Sequence, residues 1–276
     1  MSFPLGFFLG LLVAYATALW WIWESWNLPE SNYAHGPLMP FLAAFMIWAW
    51  RDRWGSCALR FDLRGWWLLL PGLFLHLCGA ALTIDSLSAA SLCLSLPGVV
   101  LLALGRERFR VLSPILLLTL FTIPLPMFLT GAIAFEMKEV ATSSGLALAH
   151  AFGSGALRDG ANISIPGQTE QLYVAAACSG LRSLVSLTTL GYCIAFFMGE
   201  QRGARRWILL ILAVPVAVIS NVLRIATICG VAEIWGVGFA TSTGHDLLNA
   251  ALWIVDLAIL LGIDAWLAHL PGRGQA

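Results

Sequence analysis

Trp207-Ile-Leu-Leu-Ile-Leu-Ala-Val-Pro-Val-Ala-Val-Ile-Ser-Asn-Val-Leu-Arg-Ile-Ala-Thr-Ile-Cys-Gly-Val-Ala232 decides the fold class. A helix needs roughly 20 apolar residues to cross the hydrocarbon core of a bilayer. This stretch has them, with one charge inside, Arg224. Working outward, seven more segments qualify or nearly do: 3–23, 37–50, 65–84, 86–104, 112–130, 179–198 and 246–268. The segment 37–50 is short and must borrow flanking residues, and Pro124 and Pro126 end or kink the fifth. The chain is 59% hydrophobic and 11% charged, where soluble domains carry about a quarter charged residues. The expectation is an all-α polytopic membrane protein of about eight transmembrane helices. Thirteen tryptophans suit the aromatic belts of membrane interfaces. Ala14-Tyr15-Ala16 is similar to a signal-peptidase site, but no basic residue precedes it and the apolar run continues to Trp23. No cleavage is expected.

Net charge is zero and names no partner, but the distribution of charge orients the chain. Basic loops stay cytoplasmic. Arg51, Arg53, Arg60 and Arg64 follow the second segment, Arg106, Arg108 and Arg110 the fourth, and Arg202, Arg205 and Arg206 the sixth; Arg273 is in the tail. Eight helices with both termini in the cytoplasm place all of these on one side. Lys138 and Arg158 fall in the opposite loops. The long loop 127–178 then faces the periplasm or exterior. Its first part, Met127 to Phe152, reads as an amphipathic helix on the membrane surface. Residues 161–165 and 170–174 flank Pro166-Gly167-Gln168 and read as a short β-hairpin leading to Cys178. No repeat, soluble domain or nucleotide-binding glycine motif is evident, so residues 1–276 read as a single transmembrane domain with no nucleic-acid partner. The six cysteines show no CxxC or CxxH spacing, which argues against a disulfide framework or a zinc site. No cofactor or metal is expected.

Three polar groups then converge. Cys178 begins the sixth segment, with Arg182 one turn on. Arg224 lies about 25 Å up the seventh helix from Trp207. His245 opens the eighth from the outside. A thiolate nucleophile is favoured beside cations or at a helix start. His245 is placed to take the thiol proton and return it to a leaving amine. Arg224 suits an oxyanion, the thiolate or a substrate carboxylate. Each residue also fits a plainer role. Arg182 pairs with Asp246 or Glu233 in a packing network, Arg224 snorkels to the interface, and His245 serves helix entry beside Thr243 and Asp246. Asn221 and Ser220 beside Arg224 favour a buried polar cluster. His35, in Tyr33-Ala34-His35-Gly36, either lines the same cavity or is an interfacial loop histidine. His76 and His150 read as packing residues and His269 as an end-of-helix residue; Asp256 lies deep in the eighth helix without an evident role.

At Tyr33-Ala34-His35-Gly36, Ile123-Pro124-Leu125-Pro126, Ala177-Cys-Ser-Gly-Leu-Arg182, Asn221-Val-Leu-Arg-Ile225 and Gly244-His245 the chain resembles the exosortase/archaeosortase family of membrane cysteine transpeptidases. The resemblance implies Cys178, Arg224 and His245 as the catalytic set, with Arg182, Asn221, His35 and Ser179 binding substrate or supporting it. Three alanines precede Cys178 where the family commonly has an acidic residue. The implied partners, besides membrane lipids, are exported proteins ending in a Pro-Glu-Pro-like motif, a membrane helix and an arginine-rich tail. The implied location is the cell inner membrane, with a role near exopolysaccharide and envelope biogenesis. Some relatives carry a fused soluble domain, and none is expected here after helix eight. Two other classes compete: a transport or export component for lipid-linked exopolysaccharide, and a non-catalytic membrane scaffold. Neither needs Cys178.

Overall fold

The computed structural model describes residues 2–28, 31–160, 162–173, 180–198 and 203–269. The chain divides into two compact units, Met1–Met127 and Phe128–Ala276. Both are built mainly of helices. Among the described residues, four helical runs can cross a membrane by length and composition: Asp85–Thr122, Leu181–Met198, Ala204–Trp235 and Thr243–His269. The bent pair Leu5–Ala14 and Ala16–Asn27 makes a fifth if it counts as one span.

The first unit opens with α1 (Ser2–Ala14) and α2 (Ala16–Asn27). The sequence suggests one helix over 3–23, but the chain bends by 65° at Tyr15. The cause is a buried polar cluster. Tyr15 leaves helical dihedrals (φ −97°, ψ 12°), and its hydroxyl lies 2.7 Å from both Ser91 Oγ and Ser95 Oγ. His76 donates from Nε2 to the Ala14 carbonyl that the bend exposes (2.9 Å) and meets Ser88 Oγ through Nδ1 (2.8 Å). In apolar surroundings an unpaired carbonyl is costly, and His76 supplies its partner. His76 is thus the packing residue its neighbours suggest.

There follow α3 (Met39–Ala49), α4 (Arg51–Gly55), α5 (Trp66–Ala81), α6 (Asp85–Ala90), α7 (Leu92–Leu117) and α8 (Thr119–Thr122). The expected spans 37–50 and 65–84 correspond to α3 and α5, of 11 and 16 residues. Both are shorter than the roughly 17–25 residues of a usual span. α5 approaches α7 where Gly72 faces Ser95 and Gly98 faces Leu69; small residues of this kind allow close helix packing in lipid. The 38-residue run from Asp85 breaks at Gly105 (φ 84°, ψ 172°), beside the basic stretch that separates the fourth and fifth segments in the sequence. Only glycine fits there. A Cβ on it lies 2.2 Å from the Arg60 carbonyl oxygen. The run ends at Thr122, before Pro124 and Pro126, as those prolines require.

The second unit holds α9 (Met127–Ala151), strands β1 (Leu157–Asp159), β2 (Asn162–Ser164) and β3 (Gln171–Tyr173), then α10 (Leu181–Cys193), α11 (Ala204–Trp235), α12 (Val237–Thr241) and α13 (Thr243–His269). α9 buries Ala141, Thr142, Gly145, Leu146 and Ala149, an i, i+4 stripe. Gly145 lets it press against Ile225 of α11. The expected hairpin pairs Asn162 with Tyr173 and Ser164 with Gln171, and the Pro166-Gly167 turn closes with Gln168 N–H on the Ile165 carbonyl. The sequence reading missed β1, which adds antiparallel to β2 to give three strands in order β1-β2-β3. Its charged, exposed residues Arg158 and Asp159 give no alternating apolar signal. Ile163, Ile165 and Leu172 share a core with Ile225, Ile228, Cys229 and Ala232, which anchors the sheet on the C-terminal half of α11. Glu233 ties the preceding loop down, accepting from Ser154 Oγ (2.6 Å) and Gly155 N–H (2.9 Å). A second core, with Leu187, Leu209, Ala213, Ala217 and Leu260, joins α10, α11 and α13.

Candidate functional site

Arg224 is 5% exposed on α11, a largely apolar helix. A guanidinium there demands partners. Its Nη2 donates to Ser183 Oγ on α10 (3.1 Å), and its Nη1 faces Asn221 Oδ1 at 3.5 Å. Ser183 and Asn221 are neutral, so these two bonds aim the guanidinium without themselves cancelling its charge. One turn earlier on the same face, Ser220 Oγ donates to Asp256 Oδ2 of α13 (2.8 Å). Ser183, Ser220, Asn221, Arg224 and Asp256 are all buried. Three helices therefore share one polar layer inside an apolar bundle.

The chain enters α10 through Gly180, which is left-handed (φ 78°, ψ −5°). Its carbonyl accepts from Leu184 N–H, the first helical bond (2.8 Å). A Cβ at this position lies 2.4 Å from Asn221 Nδ2 and 2.7 Å from Asn221 Cγ. Glycine is therefore required twice, for its backbone conformation and for its contact. Through Gly180 and Ser183, the start of α10 is docked on the α11 turn that carries Arg224. Cys178 and Ser179 lie outside the described residues, as does Val174 at the end of the expected hairpin. Arg182 is half-buried on the first turn of α10, and its Nε has no hydrogen-bond partner among the described residues. The network with Glu233 or Asp246 does not claim it in the described geometry. Glu233 accepts from Ser154 and Gly155, and Asp246 is 88% exposed beside His245.

His245 lies in the first turn of α13, with Asn249 Nδ2 3.1 Å from its Nδ1 and Asp246 Oδ1 3.7 Å from the same atom. α11 and α13 run antiparallel, since Arg205 meets the Ala268 carbonyl and Ser220 meets Asp256. His245 is about 16 Å of helix rise from Asp256, and Arg224 about 6 Å from Ser220 in the same direction. His245 thus stands about 10 Å beyond Arg224 along the pair rather than level with it. That offset is the length of a short peptide segment, not of a direct contact. His35 belongs to the first unit. Its Nε2 donates to the Phe121 carbonyl (3.2 Å), and its ring lies near Tyr33. Burial lowers its pKa, and the hydrogen bond to Phe121 partly offsets this.

Sequence reasoning missed Ser183 and left Asp256 without a role. The available signal was the isolated polar residue in an apolar helix, which is expensive unless paired. The spacing of Ser220 and Arg224, one turn apart, named the face. Nothing in a single sequence names which residue of another helix meets it.

The matches to known proteins agree with this architecture. The transmembrane exosortase family matches residues 20–262, which include α10, α11, the polar layer and His245. No curated protein and no solved structure matches the chain. A match of that extent to a family of membrane proteins, over a chain of several membrane-spanning helices, makes this protein a member of the transmembrane exosortase family.

Proposed function

We propose that this exosortase-family protein is a cysteine transpeptidase of the cell inner membrane, acting on exported proteins that carry a C-terminal sorting signal. Its nucleophile is Cys178. The whole chain, 1–276, acts as one transmembrane domain of about eight helices with both termini in the cytoplasm, and the loop 127–178 faces outward. The observation that carries the reading is the docking of Gly180 on Asn221, one turn from Arg224. Two residues of chain reach at most about 7 Å, so Cys178 is tethered within that distance of Gly180.

In the reaction His245 takes the Cys178 proton, and the thiolate attacks the carbonyl carbon of the scissile peptide bond near the outer leaflet. Arg224, held by Ser183 and Asn221, stabilises the negative charge that develops on sulfur and then on the carbonyl oxygen. Arg182 and Ser179 support substrate at the mouth of α10. The C–N bond breaks as His245 returns the proton to the leaving amine, and the membrane tail departs. An amine or water then attacks the thioester, the C–S bond breaks, and Cys178 is regenerated. Apolar helices around the site let a substrate helix approach laterally without leaving lipid.

The test co-expresses Cys178→Ala and Cys178→Ser with a tagged protein bearing such a signal. Loss of the substrate's tail is followed on a gel, with membrane levels of the enzyme as control. Uncleaved substrate beside normally inserted variants is expected. Normal processing by both variants overturns thiol catalysis and favours an exopolysaccharide export component instead.

A further inference from the structure

We propose that the cavity of the first unit, between α1, α3, α4 and α7, holds an acyl chain of an anionic phospholipid whose phosphate is taken by the arginines at one end, chiefly Arg53 and Arg108. Catalysis by Cys178 plays no part in this. The cavity measures about 500 Å³, within the usual range of ligand sites. Its walls offer nothing to a polar ligand. Thr119 and Thr122 turn their hydroxyls back to the Leu116 and Leu118 carbonyls, and Trp54 gives its ring N–H to the Ile47 carbonyl (2.8 Å).

The shape is elongated and one end is basic. α3 lines the cavity from Met39 to Ile47 and α7 from Leu96 to Leu104, about 12 Å of helix rise in each. Both stretches lead to the same end, since Ile47 precedes Arg51 and Arg53, and Leu104 precedes Arg106, Arg108 and Arg110. Trp54 stands there, lining the cavity, with the Arg108 guanidinium 5.6 Å from its ring. A transmembrane helix of a partner needs a groove of roughly 30 Å, more than twice this length. The fitting occupant is a hydrocarbon chain with a charge at one end.

The arginines fix the sign of that charge. Residues 51–64 and 106–110 carry seven arginines and three carboxylates. Two of the carboxylates turn to backbone amides, Asp62 accepting from Arg64 N–H (3.0 Å) and Glu107 from Ala58 N–H (3.3 Å). The third, Asp52, is exposed and lies 3.9 Å from Arg51. Arg53, Arg106, Arg108 and Arg110 meet no carboxylate at ion-pair distance among the described residues. Arg108 is also preorganised: Nε and Nη2 donate to the Cys57 carbonyl (3.1 and 3.0 Å), which fixes its fork beside Trp54. Basic groups beside membrane helices bind anionic headgroups, and the planar guanidinium suits phosphate.

The test uses full-length protein freed of lipid in detergent. Native mass spectrometry titrates it with phosphatidylglycerol, with phosphatidylcholine of the same chains, and with inorganic phosphate. One arginine near a headgroup is worth about fivefold in affinity, so phosphatidylglycerol is expected to bind at one site at least fivefold tighter than phosphatidylcholine. Arg53→Gln with Arg108→Gln is expected to reduce it to the level of phosphatidylcholine. Ala43→Trp, which fills the cavity midway along α3 and leaves the arginines in place, is expected to abolish retention of both lipids. Inorganic phosphate alone is expected not to be retained. Equal binding of the two lipids to the parent overturns the anionic headgroup, and a preference that survives loss of both arginines overturns their role. Undiminished retention in Ala43→Trp overturns the cavity as the seat of the chain, and phosphate held as tightly as phosphatidylglycerol overturns the lipid altogether. Thermal unfolding of the lipid-free variants checks their folding. Ala43→Leu decides the cavity arm if Ala43→Trp does not accumulate, and Arg53→Gln with Arg106→Gln, both exposed positions, decides the charge arm if Arg108→Gln does not.

Discussion

Replacing Gly180 with alanine tests the architecture of the site at one atom. An L-residue pays about 1–2 kcal/mol to occupy the left-handed region found there (φ 78°). The added methyl also meets Asn221 Nδ2 at 2.4 Å, where ordinary contact begins at 3.4 Å, so one side must retreat by about 1 Å. Asn221 is fully buried and holds Arg224, so it cannot swing into solvent. Overpacking of this kind costs a further 1–3 kcal/mol or so, giving roughly 2–5 kcal/mol in all. A shift of about 1 Å at a catalytic group also costs about 10²-fold in rate. Gly180→Ala is therefore expected to process the tagged substrate at most a few per cent as fast as the parent, with a lower unfolding temperature in detergent. Gly180→Ala combined with Asn221→Gly removes the clash but keeps the left-handed strain and takes a partner from Arg224, so it is expected to recover neither stability nor rate. Parental stability and parental rate in Gly180→Ala refute the docking of α10 on α11 as described.

Ser183→Ala removes the hydroxyl that accepts from Arg224. It is expected to destabilise the protein by roughly 1.5–3 kcal/mol, the usual range for a hydrogen bond to a charged group, measured by thermal unfolding, and to slow cleavage. His76→Ala leaves the Ala14 carbonyl and Ser88 without their partner at the bend of the first helix pair. The expected loss is roughly 2–4 kcal/mol with little change in the rate of cleavage per folded molecule. Between α9 and β1, the hydrogen bond from Arg158 holds the Glu139 carboxyl below its usual range, and the same pair raises Arg158. A depressed carboxyl contributes stability above its unfolded pKa of about 4.3 and loses it as pH falls through the folded value. Glu139→Gln is therefore expected to differ slightly from the parent in thermal stability at neutral pH and to match it in acid. Salt is expected to shrink the neutral-pH difference, since both side chains are solvent-accessible.

Much of this organisation was legible in the chain because lipid allows few solutions to backbone hydrogen bonding. The apolar runs at 207–232 and 246–268 became α11 and α13 with small changes at their ends. The Pro-Gly turn between β2 and β3 announced itself by residue type. The bend at Tyr15 did not, because it depends on Ser91, Ser95 and His76, distant residues whose spacing carries no local signal. β1 was hidden for a similar reason. It is charged and exposed, and pairs at an edge with no apolar alternation to mark it. In the site, Arg224 and Asn221 were recognisable as polar residues in a helix that ought to be apolar. Their relation to Ser183 and Asp256 depends on how α10 and α13 are rotated against α11, which hydrophobic periodicity over lipid-exposed helices leaves undetermined.

The polar layer also sets an order of biosynthesis. Gly180 and Ser183 leave the ribosome before Asn221 and Arg224, which precede Asp256. Until α13 emerges, Ser220 and Arg224 enter the bilayer without the carboxylate that completes their layer. Membrane insertion of α11 is therefore coupled to synthesis of α13. A chain stalled between them carries an arginine that favours retention at the insertion machinery. Maturation of the site then waits until α13 has been made.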